Sequence, residues 1–232
     1  MAGPALAGPW PRAEDRTFLS LSSELDRDDN SYTSLYGEYG VTPRSTFGFE
    51  LGHASAGENS ALLWLQRSLD HGEGPNRWTV SAGAGMIERD GAYMPLGQIG
   101  SSWGRGFDSM PLLRRIPGGG WVGVDARVKV AGEIKDEEEI RQLVSEGASA
   151  LNYLTAETTS KADVTLGWNA TDSLMLINQI RLEDRKDTGF SGKLATSIVR
   201  DLAGPAKIEL GAIAPLSGEG EPAVKLGTWL EF

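Results

Sequence analysis

The chain lacks cysteine altogether and has only two histidines among its 232 residues. A disulfide framework, a thiolate nucleophile and a cysteine-ligated metal are therefore excluded. Two histidines are also too few for a convincing zinc site. Basic residues are scarce: 22 Lys and Arg stand against 32 Asp and Glu, a formal charge of −10. No basic surface exists to neutralise phosphates, so nucleic acid is not an expected partner. Long apolar runs are missing as well. No stretch approaches the ~20 apolar residues that a membrane helix needs. A strand-built membrane barrel survives this test, because its lipid face takes only alternate residues.

What the chain does have is alternation. In "WVGVDARVKVAG", Trp121 to Gly132, the residues Val122, Val124, Ala126, Val128 and Val130 share one face. Gly123, Asp125, Arg127 and Lys129 share the other. Strict period two is the strand signature. Consecutive charges on the inner face do not suit a soluble sandwich, whose interior is dry. They suit lipid outside and a polar lumen inside. The pattern recurs in "KADVTLGW", "KIELGAIA", "STFGFELGH" and "RWTVSAGAGM". Weaker segments have mixed faces, and "SALLWLQR" is apolar on both, so its phase stays open.

The count is about twelve strands, an even number, as a barrel with both termini on one side requires. Short turns at 41–45, 169–172 and 201–206 then fall on the terminal side, and longer connections at 183–188, 215–222 and 132–159 on the other. Two connections run against that asymmetry. "RGFDSMPLLRRIPGGG" is long yet terminal-side, and the turn at 89–91 is short yet opposite, which would follow from one miscounted strand. The segment 136–151 carries Ile140, Leu143, Val144, Gly147 and Leu151 at helical spacing, with a capping box at Asp136 and Glu139. It reads as a short amphipathic helix in the longest outer loop, packed on the rim or acting as a lid. Residues 1–12 read as a flexible Pro/Gly-rich leader or as a signal remnant behind an added start methionine. The barrel occupies residues 13–232.

The chain closes on "AVKLGTWLEF". This resembles the C-terminal signal of bacterial outer-membrane barrels, which end in an aromatic residue after alternating apolar positions. Val224, Leu226, Leu230 and Phe232 match it, and Thr228 fits less well. "TSLYGEYGVTPRSTFGFELG" and "GSSWGRGFDS…GGGWVGVDARVKV" are similar to hairpins of uncharacterised proteobacterial outer-membrane, porin-like proteins. The resemblance covers most of the chain from about Trp10 onward. It implies an all-β fold, a single antiparallel transmembrane β-barrel in the outer membrane, with the lipid bilayer and the barrel assembly machinery as partners. It carries no catalytic residues.

The candidate site is the lumen wall: Glu38, Glu50, Asp125, Arg127, Lys129, Lys161, Asp163, Arg181, Lys193, Lys207, Glu209 and Lys225. Either these charges tune a pathway for small polar solutes, or they pair and fill a narrow barrel. The aromatics Tyr32, Tyr36, Tyr39, Trp64, Trp78, Trp103, Trp121, Trp168 and Trp229 suggest an interfacial girdle. A hydrolase would need His53 or His71 beside an activated serine, and Ser55 near His53 is proximity only. Gly118–Gly120 precede a strand, not a helix, so no phosphate loop or other cofactor motif is present. The readings are a pore or passive transporter, a closed structural or surface-interaction barrel, and least a lipid-modifying membrane enzyme. A soluble sandwich or lipocalin-like barrel is the fold alternative.

Overall fold

The computed structural model describes residues 8–70, 74–89, 91–134, 154–186, 189–218 and 220–232. Twelve antiparallel strands follow one another in chain order: β1 Thr17–Asp26, β2 Ser31–Thr42, β3 Ser45–Ala54, β4 Glu58–Ser68, β5 Asn76–Arg89, β6 Ala92–Gly106, β7 Gly120–Ile134, β8 Leu154–Thr171, β9 Leu174–Arg185, β10 Gly189–Asp201, β11 Ala206–Ser217 and β12 Ala223–Glu231. Each pairs with its chain neighbour, and β12 pairs with β1, so the sheet is a closed barrel. The closing register runs from Phe18 opposite Glu231 to Asp26 opposite Ala223. Closure leaves no strand edge with unpaired N–H and C=O groups. The terminal strand on which the chain closes is thus an ordinary member of the sheet.

Register follows from the alternation, since a one-residue slip would turn every side chain to the wrong face. Leu63 and Leu65 on β4, Ile99 on β6, Ile198 on β10 and Leu210 on β11 are all strongly exposed, Ile99 at 65%. These outward rows form an apolar belt, which water would penalise and hydrocarbon would not. The inner face carries the charged and hydroxyl rows. In "SALLWLQR" the phase is settled by burial: Leu62, Trp64 and Gln66 point inward, and Leu63 and Leu65 outward.

The strand count needs no revision. The long terminal-side connection after β6 is held by its own contacts. Phe107, in the 3₁₀ turn Phe107–Ser109, is buried at 2% exposure. The Arg105 guanidinium donates to the Ser109 hydroxyl at 3.0 Å, and the Trp168 indole donates to the Pro117 carbonyl at 2.9 Å. The stretch is a folded cap on the β6–β8 base. The outer loop expected from 132 to 159 begins later, because β7 and β8 stay paired as far as Ile134 opposite Leu154. The helix expected over 136–151 lies outside the described residues.

Candidate solute pathway

The inner wall encloses two connected chambers. The one toward the loop end is a vestibule of about 600 Å³, lined by serines, threonines, tyrosine and many charged side chains. The one toward the terminal end is about 260 Å³ and is bounded by Pro9, Trp10, Phe18, Trp64, Trp121 and Trp229. Both share Tyr36, Glu50, Arg127, Asp163 and Lys225 on their walls.

Each charge proposed from the sequence has a place on this inner face. Glu50, Arg127, Asp163 and Lys225 border both chambers, Asp125 and Glu209 the lower one, and Lys129, Lys161, Arg181 and Lys193 the vestibule. Glu38 is buried below them and accepts the Tyr36 hydroxyl at 2.6 Å. Lys207 sits near the terminal rim, paired with Asp201 at 3.1 Å.

Most of the wall charges are paired. Arg127 meets Asp163 at 2.6 Å, Lys161 meets Glu183 at 2.9 Å, and Arg181 meets Glu24 at 2.9 Å. Arg89 bridges Glu58 at 2.8 Å and Glu157 at 3.5 Å, and Lys225 meets Glu209 at 2.9 Å. The β7–β8–β9 pairs are diagonal or direct cross-strand neighbours on one face of the sheet, the spacing at which opposite charges help each other. The Arg181–Glu24 bridge instead spans from β9 to β1. The other pairs join neighbouring or near strands, and a volume of about 600 Å³ stays open beside them.

The lower half is a different material. Trp229, Phe18, Tyr36 and Trp64 run along the inner wall from β12 to β4 as successive ring contacts, with centroids 5.8, 6.2 and 5.2 Å apart. Phe18 and Trp229 pack with Ile177 and Val199, and Trp64 with Leu62, Leu96 and Ala131. The Trp229 indole donates to Glu209 at 3.2 Å, so its polar edge is satisfied. This band corrects the girdle expected from sequence. Tyr32, Tyr36, Trp64, Trp121 and Trp229 face the lumen, whereas Tyr39 and Trp78 are exposed on the outside. Aromatics near strand ends serve either purpose; parity decides. Trp121 shares its face with Gly123 and Asp125, and Trp229 shares its face with Lys225.

Residues 8–12, set apart as leader or signal remnant in the sequence reading, are packed inside the barrel. The Gly8 carbonyl accepts the buried Gln66 amide at 2.6 Å. Trp10 meets Trp121 edge-on at 5.7 Å. Arg12 reaches Glu38 at 2.5 Å and Glu231 at 3.0 Å, lies 4.4 Å over the Phe18 ring, and its backbone N–H donates to the Thr46 hydroxyl at 2.8 Å. Glycine makes the room. A Cβ at Gly104 would collide with Pro9 and Trp10, and one at Gly40 with the Ala13 carbonyl. The segment is a wedge in the terminal end of the lumen.

The catalytic alternative gains nothing from the geometry. His53 is exposed and its Nδ1 lies 2.8 Å from the side-chain Oδ1 of Asn59, with no serine in that contact. His71 lies outside the described residues. Among the described residues no cluster of potential metal ligands occurs.

No protein-family model matches the chain, and no curated protein sequence does. Solved structures do resemble it. The COG4313 outer membrane channel from Pseudomonas putida F1 superposes with a TM-score of 0.59 at 9% identity, covering 100% of both chains. The NanC porin gives 0.58 at 8% identity over 91% of this chain and 98% of that one. The KdgM porin in complex with disordered oligogalacturonate gives 0.58 at 8% identity, over 93% and 99%. The likeness is one of fold: this chain has the barrel architecture of outer-membrane porins and channels.

Proposed function

We propose that the chain is a bacterial outer-membrane pore, a passive route for small polar solutes, drawn here with its terminal end wedged shut. The observation that carries this reading is the lumen itself. A continuous polar vestibule with wall-paired charges stands above a narrow aromatic band. A barrel built only as a scaffold would fill that space with side chains, and here about 600 Å³ of it stays open. Membrane residence is supported by the exposed apolar belt and by the shared fold. Val224, Leu226 and Leu230 on β12, and Phe232 just beyond it, are all exposed, Val224 at 62%, the arrangement that assembly machinery reading this strand would need.

The second reading, a closed structural or surface-interaction barrel without conductance, draws on the wedge. Residues 8–12 and the band of Phe18, Tyr36, Trp64 and Trp229 together occupy the terminal half. One assay separates the two. Barrel shown to be folded by its heat-modifiable mobility is placed in liposomes, and swelling is followed with sugars of graded size. The pore reading expects slow swelling with a size cutoff, and faster swelling for a Trp10→Ala/Arg12→Ala variant. Folded protein that permits none, in either form, leaves the closed barrel standing.

A further inference from the structure

The chain carries ten more acidic than basic groups overall. The vestibule reverses that balance: eight basic and six acidic side chains line it. The reversal is concentrated on one arc. Arg127 stands directly opposite Lys161 across β7–β8, and Arg181 directly opposite Lys193 across β9–β10. Like charges facing each other across a ladder destabilise a sheet, so these placements have a cost that an unselected wall would avoid.

Carboxylates offset part of it. Arg127, Lys161 and Arg181 each hold an acid. Among the described residues, Lys129 and Lys193 hold none within 4 Å. Lys129 has Gln98 and Thr159 as its register partners. Lys193 stands beside the β11–β12 connection at Gly220. The one lining carboxylate outside an ion pair is Glu50, which accepts the Tyr32 hydroxyl at 3.4 Å. Glu50 acts on Lys129 and Asp26 on Lys193 only from beyond ion-pair contact, and a partly desolvated ammonium with no acid in contact favours an incoming anion.

We propose that the vestibule selects small anions, which meet Lys193 near the mouth and Lys129 within, and a sugar acid serves as the probe. The inference rests on the pore reading for its biological sense, but the site can be tested without conduction. Walls of one net sign focus the potential inside a cleft and raise the local concentration of the opposite ion.

The absence of cysteine makes a clean test. Thr159→Cys places a lone thiol opposite Lys129, and Ser60→Cys, also in the vestibule wall, serves if the first variant does not fold. The folded barrel is labelled with anionic ethylsulfonate and cationic trimethylammonium methanethiosulfonates, each rate normalised to a free thiol. A local potential near one kT gives a ratio favouring the anionic reagent by about sevenfold, and several kT give more. Lys129→Gln/Lys193→Gln brings the ratio near one. D-glucuronate slows labelling and D-glucose at the same concentration does not. Preference for the cationic reagent, a ratio indifferent to the lysines, or equal protection by both sugars overturns the proposal. Failure of both thiols to react in folded protein overturns it too, since the vestibule is then shut. Labelling needs access from the loop end only, so a barrel that fails to swell liposomes still reports on this site.

Discussion

The wedge makes a quantitative prediction through Arg12. Its side chain is 10% exposed and its main partner Glu38 only 2%. Breaking a buried ion pair by removing one partner costs roughly 3–5 kcal/mol when the remaining charge stays dry. Glu38 keeps the Tyr36 hydroxyl at 2.6 Å and regains water once the segment leaves, so the lower end of that range applies. The guanidinium face on Phe18 contributes about 0.5–1 kcal/mol more. Arg12→Ala should therefore weaken docking of residues 8–12 by about 3.5–4 kcal/mol, several hundredfold in the docking constant. The assay is a thiol at Pro9, which is buried in the lumen. In a Pro9→Cys background, the rate at which a bulky maleimide labels the folded barrel reads the undocked fraction. Arg12→Lys should fall between, because an ammonium keeps the charge but cannot fork to Glu38 and Glu231 together. Labelling that changes by less than twofold on Arg12→Ala would show that the ion pair does not hold the segment, and the wedge would need another explanation.

Leu63 lies mid-strand on β4 and faces outward at 54% exposure. Leu63→Lys should cost about 2–4 kcal/mol in a bilayer, read from urea titration of liposome-folded protein; a neutral effect would favour the soluble alternative. Trp229→Ala removes a ring that is 2% exposed, stacked edge-on with Phe18 and bonded to Glu209, and should lower stability by about 3–5 kcal/mol in the same titration. Gly104→Val fills the space used by Pro9 and Trp10 while leaving the Arg12 ion pairs intact. It should raise both Pro9→Cys labelling and the swelling rate, as Arg12→Ala does, and a fully docked segment in that variant would contradict the seating described.

The architecture was legible because the barrel obeys one local rule throughout. Val122 to Val130 alternate with Asp125, Arg127 and Lys129, and ten of the twelve proposed lumen charges border the two chambers, with Glu38 and Lys207 outside them. Strand number followed from counting the alternating segments, and even the two connections that broke the expected asymmetry were real. The long one after β6 exceeds a turn because Phe107 needs burial against the base of β7. Where both faces of a segment are apolar, as in β4, the rule has nothing to act on. Leu62 and Trp64 are inward because they pack with Tyr36, Leu96 and Ile87 on the nearby strands β2, β6 and β5, which is information from outside the segment.

The same limit explains the wedge. Nothing local marks "GPWPR" as a lumen segment; proline and glycine there read equally well as a linker. Its seat is assembled from Gln66, Gly104, Trp121, Glu38 and Glu231, on five different strands. Yet the two halves of the lumen are complementary in a way that sequence parity does hint at. Inward rows that begin as charge on the loop side become aromatic toward the terminal side: Lys225 then Trp229 on β12, Arg127 and Asp125 then Trp121 on β7. In the pore proposed above, the charged vestibule concentrates solute, and the short aromatic band with its removable segment sets passage. Selectivity and closure are then separable, because Lys129 and Lys193 lie in the vestibule while Trp10 and Arg12 lie at the terminal end. Charge substitutions above should change which solutes arrive without changing how firmly the wedge is held, and substitutions below should do the reverse.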